Sequence, residues 1–456
     1  MSLPFLTEIL EAFPRVNVPP APALAVTGEG GLPSWFDVTG LAVASMGAAG
    51  LMLSRLAAAQ TGKTTAGVSV DRRLASFWFG FTVRPQGWEM PPSWDPIAGD
   101  YRAKDRWIRL HTNAPHHREA ALSVLGQAAD RAGVEPLAAK WQASELEQAV
   151  VEAGGCAAVM HALEEWAHHP QGAAVAGDPL VLRQAYPAHE GRWKGGEPDR
   201  PLAGLKVLDL TRVLAGPVAG RFLAAYGAAV LRIDPPDWDE PGVVPEVTLG
   251  KRCARLDIKT ADGRATFERL LGEADVLLHG YRRDALEKLG FGGEALRRIN
   301  PALIDVSLNA YGWSGPWTGR RGFDSLVQMS SGIADYGMRK ADADKPTPLP
   351  VQALDMATGY LLAATVLHAL TANRSDGVVQ SARLSLARTA HLLSVSKRGG
   401  LGPGIAAEAA ADLDPRIEDT GWGPARRPRW PVAIEGLTPA WPHPARGLGW
   451  SGPVWG

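Results

Sequence analysis

Cysteine is scarce in this 456-residue chain: Cys156 and Cys253 are its only two, with no CxxC or Cys/His spacing around either. That excludes a disulfide framework and a structural zinc site, and a reducing cytoplasm is the expected setting. A surplus of positive charge is also lacking, with 47 Lys+Arg against 48 Asp+Glu. Affinity for a nucleic-acid backbone comes mostly from clustered Lys and Arg, so no nucleic-acid partner is expected, and the balance points to small molecules or proteins. Long apolar runs are missing too. The most membrane-like stretch, Val38–Ser54, has 17 uncharged residues, is rich in Ala and is interrupted by Gly40, Gly47 and Gly50. It falls short of the roughly 20 apolar residues of a span and reads as a buried helix, with no membrane association. The N-terminal MSLPFLTEILEAF carries Glu8 and Glu11 where an export signal would carry positive charge and an unbroken apolar core.

The familiar signatures of catalysis are absent in turn. There is no GxSxG elbow, no GxxxxGK[ST] loop and no HExxH. The histidine pairs His116/His117 and His168/His169 lie in polar, helix-edge or loop contexts and read as surface residues, and no metal site is expected. Asp234 stands at the end of a strand where a ribose-binding acid would lie, but the turn before it reads Ala215-Gly216-Pro217-Val218-Ala219-Gly220 and not GxGxxG. It is an ordinary strand-to-helix junction.

What is present is a change of character along the chain. Residues 101–184 read as mostly helical, with a strand at Trp107–Leu110 and helices around Arg118–Ala132 and Ala143–Trp166. The glycines and prolines of residues 191–201 mark a linker. Compact apolar strands then alternate with helices: strands at Leu205–Leu210, Ala229–Asp234, Asp275–Gly280 and Ala302–Leu308, helices at Ala215–Gly227, Ala261–Ala274 and Gly293–Ile299. That alternation predicts an α/β fold with a doubly wound parallel sheet, whose ligands sit beyond the carboxyl ends of the strands. Residues 401–456 form a Trp/Pro/Gly-rich tail, whose Trp422, Trp430, Trp441, Trp450 and Trp455 are expected to pack on the body.

An internal repeat joins two distant parts. Gly40–Arg73 echoes Asp355–Arg388 at an offset of 315 residues, set by the turn glycines Gly62 and Gly377, and each copy reads as an Ala-rich helix, a turn and a strand, with a one-residue slip in the strand. At the aligned head position one copy has Asp355 and the other Gly40. A carboxylate there either caps the helix, accepting backbone N–H groups at the favourable end of the dipole, or serves as a nucleophile, already ionised at neutral pH.

Five ordered stretches between Leu202 and Arg388 resemble the first half of a class III CoA-transferase of the CaiB/BaiF (carnitine dehydratase-like) family: PLAGLKVLDLTRVLAGPVAGRFLAAYGAAVLRID, GKRCARLDIKT, ADVLLHGYRRDALEKLGF, NPALIDVSLNAYGWSGPWTGRRGFDSLVQMSSG and ALDMATGYLLAATVLHAL. The resemblance implies that Asp355 is the catalytic nucleophile. It also implies CoA contacts at Leu214 and Ala215 after the first strand, Leu256 and Lys259 of the LDxKT motif, Gly280, Tyr281 and Arg282 of the third turn, Lys288 beyond it, and Arg321 before the GFD motif. CoA carries a 3′-phosphate and a diphosphate that fixed Lys and Arg can pair. Coenzyme A and acyl-CoA enter as substrates, with carboxylic acids as partners and no tightly bound cofactor. Pro235 stands where transferases often place an adenine-contacting Arg, and Gly280-Tyr281-Arg282-Arg283 replaces the usual Asn-Phe-Arg-Pro.

The fold implied is a Rossmann-like large domain with a smaller α+β domain, its halves apparently reordered. Residues 1–190 form a second-half-like module, with the helix-turn-strand repeat at 38–75 and the small domain at about 85–185. A linker at 191–201, a CoA-binding catalytic module at 202–400 and the closing tail at 401–456 follow. Family members interlock as homodimers, which is the assembly the resemblance implies. Racemases of the family place a His where this chain has Phe323, which cannot transfer a proton, so racemization is disfavoured. The activity expected is CoA transfer between acids through an aspartyl anhydride and an aspartyl-CoA thioester. The alternatives are a CoA-dependent lyase, hydrolase or racemase of the same fold, or a non-catalytic CoA-binding subunit.

Overall fold

The computed structural model describes residues 4–19, 23–187, 189–281, 284–395 and 401–455. Its central sheet has seven strands: β1 (Leu182–Tyr186), β2 (Lys206–Leu210), β3 (Ala229–Asp234), β4 (Lys251–Arg255), β5 (Val276–His279), β6 (Ile304–Asn309) and β7 (Val379–Ser385). They lie in the order β4-β3-β2-β5-β6-β7-β1. Strands β2 to β7 are parallel and β1 pairs antiparallel to β7 at the edge. Strand order therefore reverses between β2 and β5, and the crevice beyond their carboxyl ends is where such sheets take ligands.

The expected strands are all present, and two more complete the sheet. Strand β4, KRCAR, is strongly charged, yet its Lys251 is fully buried and its Nζ lies 2.8 Å from the Asp209 carboxylate on β2. The helix expected over Ala143–Trp166 is instead a helix at Ala143–Glu152, a strand at Ala157–Val159 and a helix at Leu163–His168. Gly154 takes φ +88°, a left-handed conformation that ends the first of these. With Gly99–Arg102 and Trp107–Leu110 the new strand makes a three-stranded antiparallel sheet. Helices at Pro115–Leu125, Arg131–Ala138 and Ala143–Glu152 accompany this sheet, which has its own hydrophobic core around Tyr101, Ile108, Leu146 and Val159.

Two long helices form the middle of the main core: α1 (Val38–Thr61) and α4 (Ala353–Asp376), each of 24 residues and packed directly against one another. Both are apolar enough and long enough to cross a membrane by length and composition, but here they are buried inside the protein. A helix apolar on all faces needs such surroundings. The repeat is reproduced in their geometry: Asp37 and Gln352 precede them with φ/ψ of −78°/65° and −75°/64°, and Gly62 and Gly377 end them at φ +68° and +70°. At the C-terminal ends the equivalent residues Ala59 and Arg374 meet, Nε of the arginine donating to the Ala59 carbonyl at 3.1 Å.

The tail packs on the body as expected. Trp430 meets Trp78 edge-on at 4.6 Å, and Trp441 stacks on the same ring at 5.9 Å. Its strand Val432–Ile434 pairs with Val68–Asp71 of the N-terminal module. Arg427 shares the buried Glu246 carboxylate with Arg221 and Thr82.

Candidate active site

Asp355 is the third residue of α4 and is 7% exposed. The capping role open to it is filled by another residue. Helix α3 (Asp324–Ser330) begins with Asp324, whose Oδ2 accepts the backbone N–H groups of Leu354 at 2.8 Å and Asp355 at 2.9 Å. Gln328, one turn on, donates to Asp324 Oδ1 at 2.5 Å, and its Oε1 accepts the Leu349 N–H at 2.7 Å. The head of α4 is thus capped from α3, and no donor among the described residues reaches the Asp355 carboxylate. Burial and the Asp324 charge together hold its pKa well above the usual carboxylate range, against the ready ionisation expected of it from the sequence. Burial likewise pushes Asp324 up, to about 6, against the bonds from Gln328 and the two backbone N–H groups. Two carboxylates in one dry corner resist ionising together.

At the equivalent head of α1 the geometry is closed. Asp37 caps that helix by accepting the Gly40 N–H at 2.9 Å, so the first copy does carry a carboxylate, three positions before the aligned one. A Cβ at Gly40 would lie 2.1 Å from Asp37 Oδ2. A side chain where the second copy has Asp355 would have to displace the Asp37 cap.

The strand-end residues fall into three groups. Leu214 and Ala215 are buried at the start of helix α2 (Ala215–Ala225), which packs on α4. The approach is close at Gly359, one turn beyond Asp355, where an added Cβ would stand 2.4 Å from the Ala215 carbonyl. These residues and Asp355 therefore share one corner of the fold. Tyr281 and Leu256 are partly buried beyond β5 and β4 and packed on one hydrophobic cluster, while Gly280 is exposed. Lys259 is exposed. Lys288 is also exposed and forms an ion pair with Asp284, one helical turn away, at 2.5 Å. Arg321 is turned to the N-terminal module, donating to the Gly154 carbonyl at 2.5 Å. Arg282 lies outside the described residues.

Sequence reasoning named Leu214 in the loop that leads into α2 but missed Arg212 and Val213. Val213 has φ +63°, a left-handed conformation that is costly for a β-branched residue. Its N–H donates to Glu240 at 3.0 Å. Beside it the Arg212 guanidinium lies 4.5 Å from the Trp238 ring and 5.4 Å from Tyr281, whose hydroxyl it contacts at 3.2 Å. An arginine fixed between two aromatic rings at the switch point of a parallel sheet suits a phosphate. Asp234 is taken: it is fully buried and held by two bonds from Arg232 at 2.8 and 3.0 Å, which leaves it no part in binding a ribose.

The small sheet borders this corner. His111, immediately after Trp107–Leu110, lies flat on the ring of Phe323 at 3.7 Å, and His117 meets the same ring edge-on at 5.8 Å. His116 is exposed as expected, but His117 is not a surface residue, being 4% exposed, because it lies on the inward face of its helix with Ala120, Ala121 and Leu125. Of the other pair, His168 is exposed and His169 half-buried. No group of three or more metal-ligating side chains occurs among the described residues. A cavity of about 370 Å³ lined by His189, Asp275, Asn300 and Arg374 lies at the opposite, amino-terminal ends of the strands.

Residues 202–398 match the sequence profile of CoA-transferase family III. A probable fatty acyl-CoA transferase of Mycobacterium tuberculosis is 36% identical over 203 residues, covering 41% of this chain and 51% of that protein. A succinate–glutarate CoA-transferase of Agrobacterium fabrum is 32% identical over 223 residues, covering 42% and 55%. Among solved structures, a CaiB/BaiF family protein from Brucella suis shares 27% identity over 50% of this chain and 65% of that one, with a TM-score of 0.38. The chain spans about half the length of the curated relatives it matches.

Proposed function

We propose, from the premise that residues 202–398 belong to CoA-transferase family III, that the chain is an acyl-CoA transferase with Asp355 as its covalent nucleophile. The observation that carries this reading is the division of labour at the head of α4. Asp324 takes the capping role, which leaves the Asp355 carboxylate buried and unbonded among the described residues.

The Asp355 carboxylate attacks the acyl-CoA thioester carbonyl, and the C–S bond breaks to give an aspartyl-acyl anhydride and CoA thiolate. The thiolate then attacks the aspartyl carbonyl, releasing the donor acid as its carboxylate and leaving an aspartyl-CoA thioester. An acceptor carboxylate reverses the two steps, so that CoA leaves on the new acyl group and Asp355 is regenerated. Each step exchanges one acyl bond for another. Leu214, Ala215, Leu256, Lys259, Gly280, Tyr281 and Arg282 would line the CoA site, with Lys288 at its edge. Arg212, clasped between Trp238 and Tyr281, is added as a phosphate contact. The strand order supports a Rossmann-like sheet, and two buried free thiols accord with a reducing cytoplasm. The N-terminal module and the sheet module would then be the two parts of the family's fold in reversed order. A homodimer belongs to the same proposal, through a surface other than that between α1 and α4, which face each other within one chain.

The test is a screen of acetyl-, propionyl- and succinyl-CoA against acetate, propionate and succinate acceptors. Asp355→Ala should abolish transfer and keep CoA binding. Hydroxylamine trapping during turnover, read by mass spectrometry, should mark the Asp355 peptide. Wild-type rates in Asp355→Ala would refute the assignment.

A further inference from the structure

The anhydride steps place negative charge on a carbonyl oxygen, and a donor must meet it. The backbone N–H groups at the head of α4 are spent. The N–H of Ala353 bonds to Val351, those of Leu354 and Asp355 to Asp324, and that of Met356 to Gln352. The paired glycines of the adjoining module are engaged as well, Gly154 N–H with the Val151 carbonyl and Gly155 N–H with that of Val150. A side chain can supply the donor instead.

Several buried side chains beside this corner, Ser325 of α3 among them, have unused hydrogen-bonding capacity. Both ring nitrogens of His117 are buried without a partner, as is Nδ1 of His111. A neutral imidazole offers one donor and one acceptor, and leaving both dry is costly unless a ligand or water completes them. Burial, His116 and Arg321 hold His117 down at about 3, so it is neutral wherever the carboxylates can ionise. Its position follows from the aromatic stack: Phe323 contacts both histidine rings and directly precedes Asp324, the cap on Asp355. Arg109 acts electrostatically on both Asp324 and His111, which ties the two sides of the corner together.

We propose that His117, supplied by the small domain, donates the hydrogen bond that receives the acyl carbonyl oxygen of the bound thioester, with Phe323 and His111 holding its ring. This rests on the transferase reading and adds to it the residue that completes the site from the N-terminal module.

Two unreactive probes test it: S-acetonyl-CoA, which presents a carbonyl, and S-propyl-CoA, which does not. Binding by calorimetry is compared in wild type, His117→Ala and His117→Gln, the last retaining a neutral donor should the alanine variant fail to fold. The expected result is a loss of about five- to tenfold for S-acetonyl-CoA in His117→Ala, no change for S-propyl-CoA, and partial recovery in His117→Gln. Turnover should fall by about 10²-fold or more in His117→Ala. Equal effects on both probes, or none, with an unchanged rate, would mean that His117 binds only structural water and would overturn the proposal. If wild type binds neither probe and transfers no CoA, the transferase reading itself fails and this inference goes with it.

Discussion

Removing the nucleophile should stabilise the protein. Asp355 and Asp324 share a buried corner in which the Asp324 carboxyl is pushed from an ordinary 3.8 to about 6. Burial causes that rise, and the Asp355 carboxyl is raised by burial and by the Asp324 charge as well. Asp355→Asn keeps the side-chain volume and removes the carboxyl that burial and the Asp324 charge hold well above its ordinary range, which should relieve roughly 1–3 kcal/mol at neutral pH, the scale for a buried group left without a partner. For a chain of 456 residues the unfolding entropy is about 1 kcal/mol per degree, which converts the gain into a Tm rise of about 1–3 °C. The sign has a pH signature. A carboxyl raised in the folded state binds protons more tightly there than when unfolded, so wild-type stability falls as pH rises through the window from about 4 to about 6 and stays lower above it. Asp355 is raised in the same direction, so the advantage of Asp355→Asn should be largest at the alkaline end and shrink as pH falls toward the unfolded carboxylate value of about 4. Differential scanning calorimetry of both proteins from pH 4.5 to 8 measures it. A variant no more stable than wild type at pH 8, or an advantage that grows with acid, would show that the two carboxylates do not oppose each other.

Other perturbations follow from single contacts. Gly40→Ala places a Cβ against the Asp37 carboxylate and should destabilise by about 1–3 kcal/mol; the double variant with Asp37→Ala should recover part of it, read by urea denaturation. Glu246→Ala leaves Arg221 and Arg427 buried without their shared carboxylate and should cost about 3–5 kcal/mol in the same assay. Val213→Gly relieves the left-handed strain and should raise stability by about 1 kcal/mol, while the looser loop raises KM for acyl-CoA in a steady-state assay.

The sheet was legible where strands are compact apolar runs bounded by turn residues, as in Lys206–Leu210 and Ala229–Asp234. It was not legible at Lys251–Arg255, because only the buried Lys251–Asp209 pair makes so charged a segment a strand. The repeat was readable to the residue, since the 315-residue offset maps one helix onto the other from first residue to last. Asp355 could be singled out from sequence, but not freed from its capping role. That needed Asp324, which lies 31 residues away in the chain and 2.9 Å away in space. His117 was misjudged for a related reason: local polarity in PHHREA hides the helix face that His117 shares with the buried Ala120 and Ala121.

The pairing of α1 with α4 frees the protein from a constraint that binds symmetric assemblies. Where two identical chains meet about a two-fold axis, every substitution is made twice, and a residue on the axis must tolerate its own image. Here the two sides are spelled separately. Arg374 can give its guanidinium to Ala59 at the matching position, and Asp355 can be reactive while Gly40 stays bare. Each half can therefore vary alone, one toward chemistry and the other toward support.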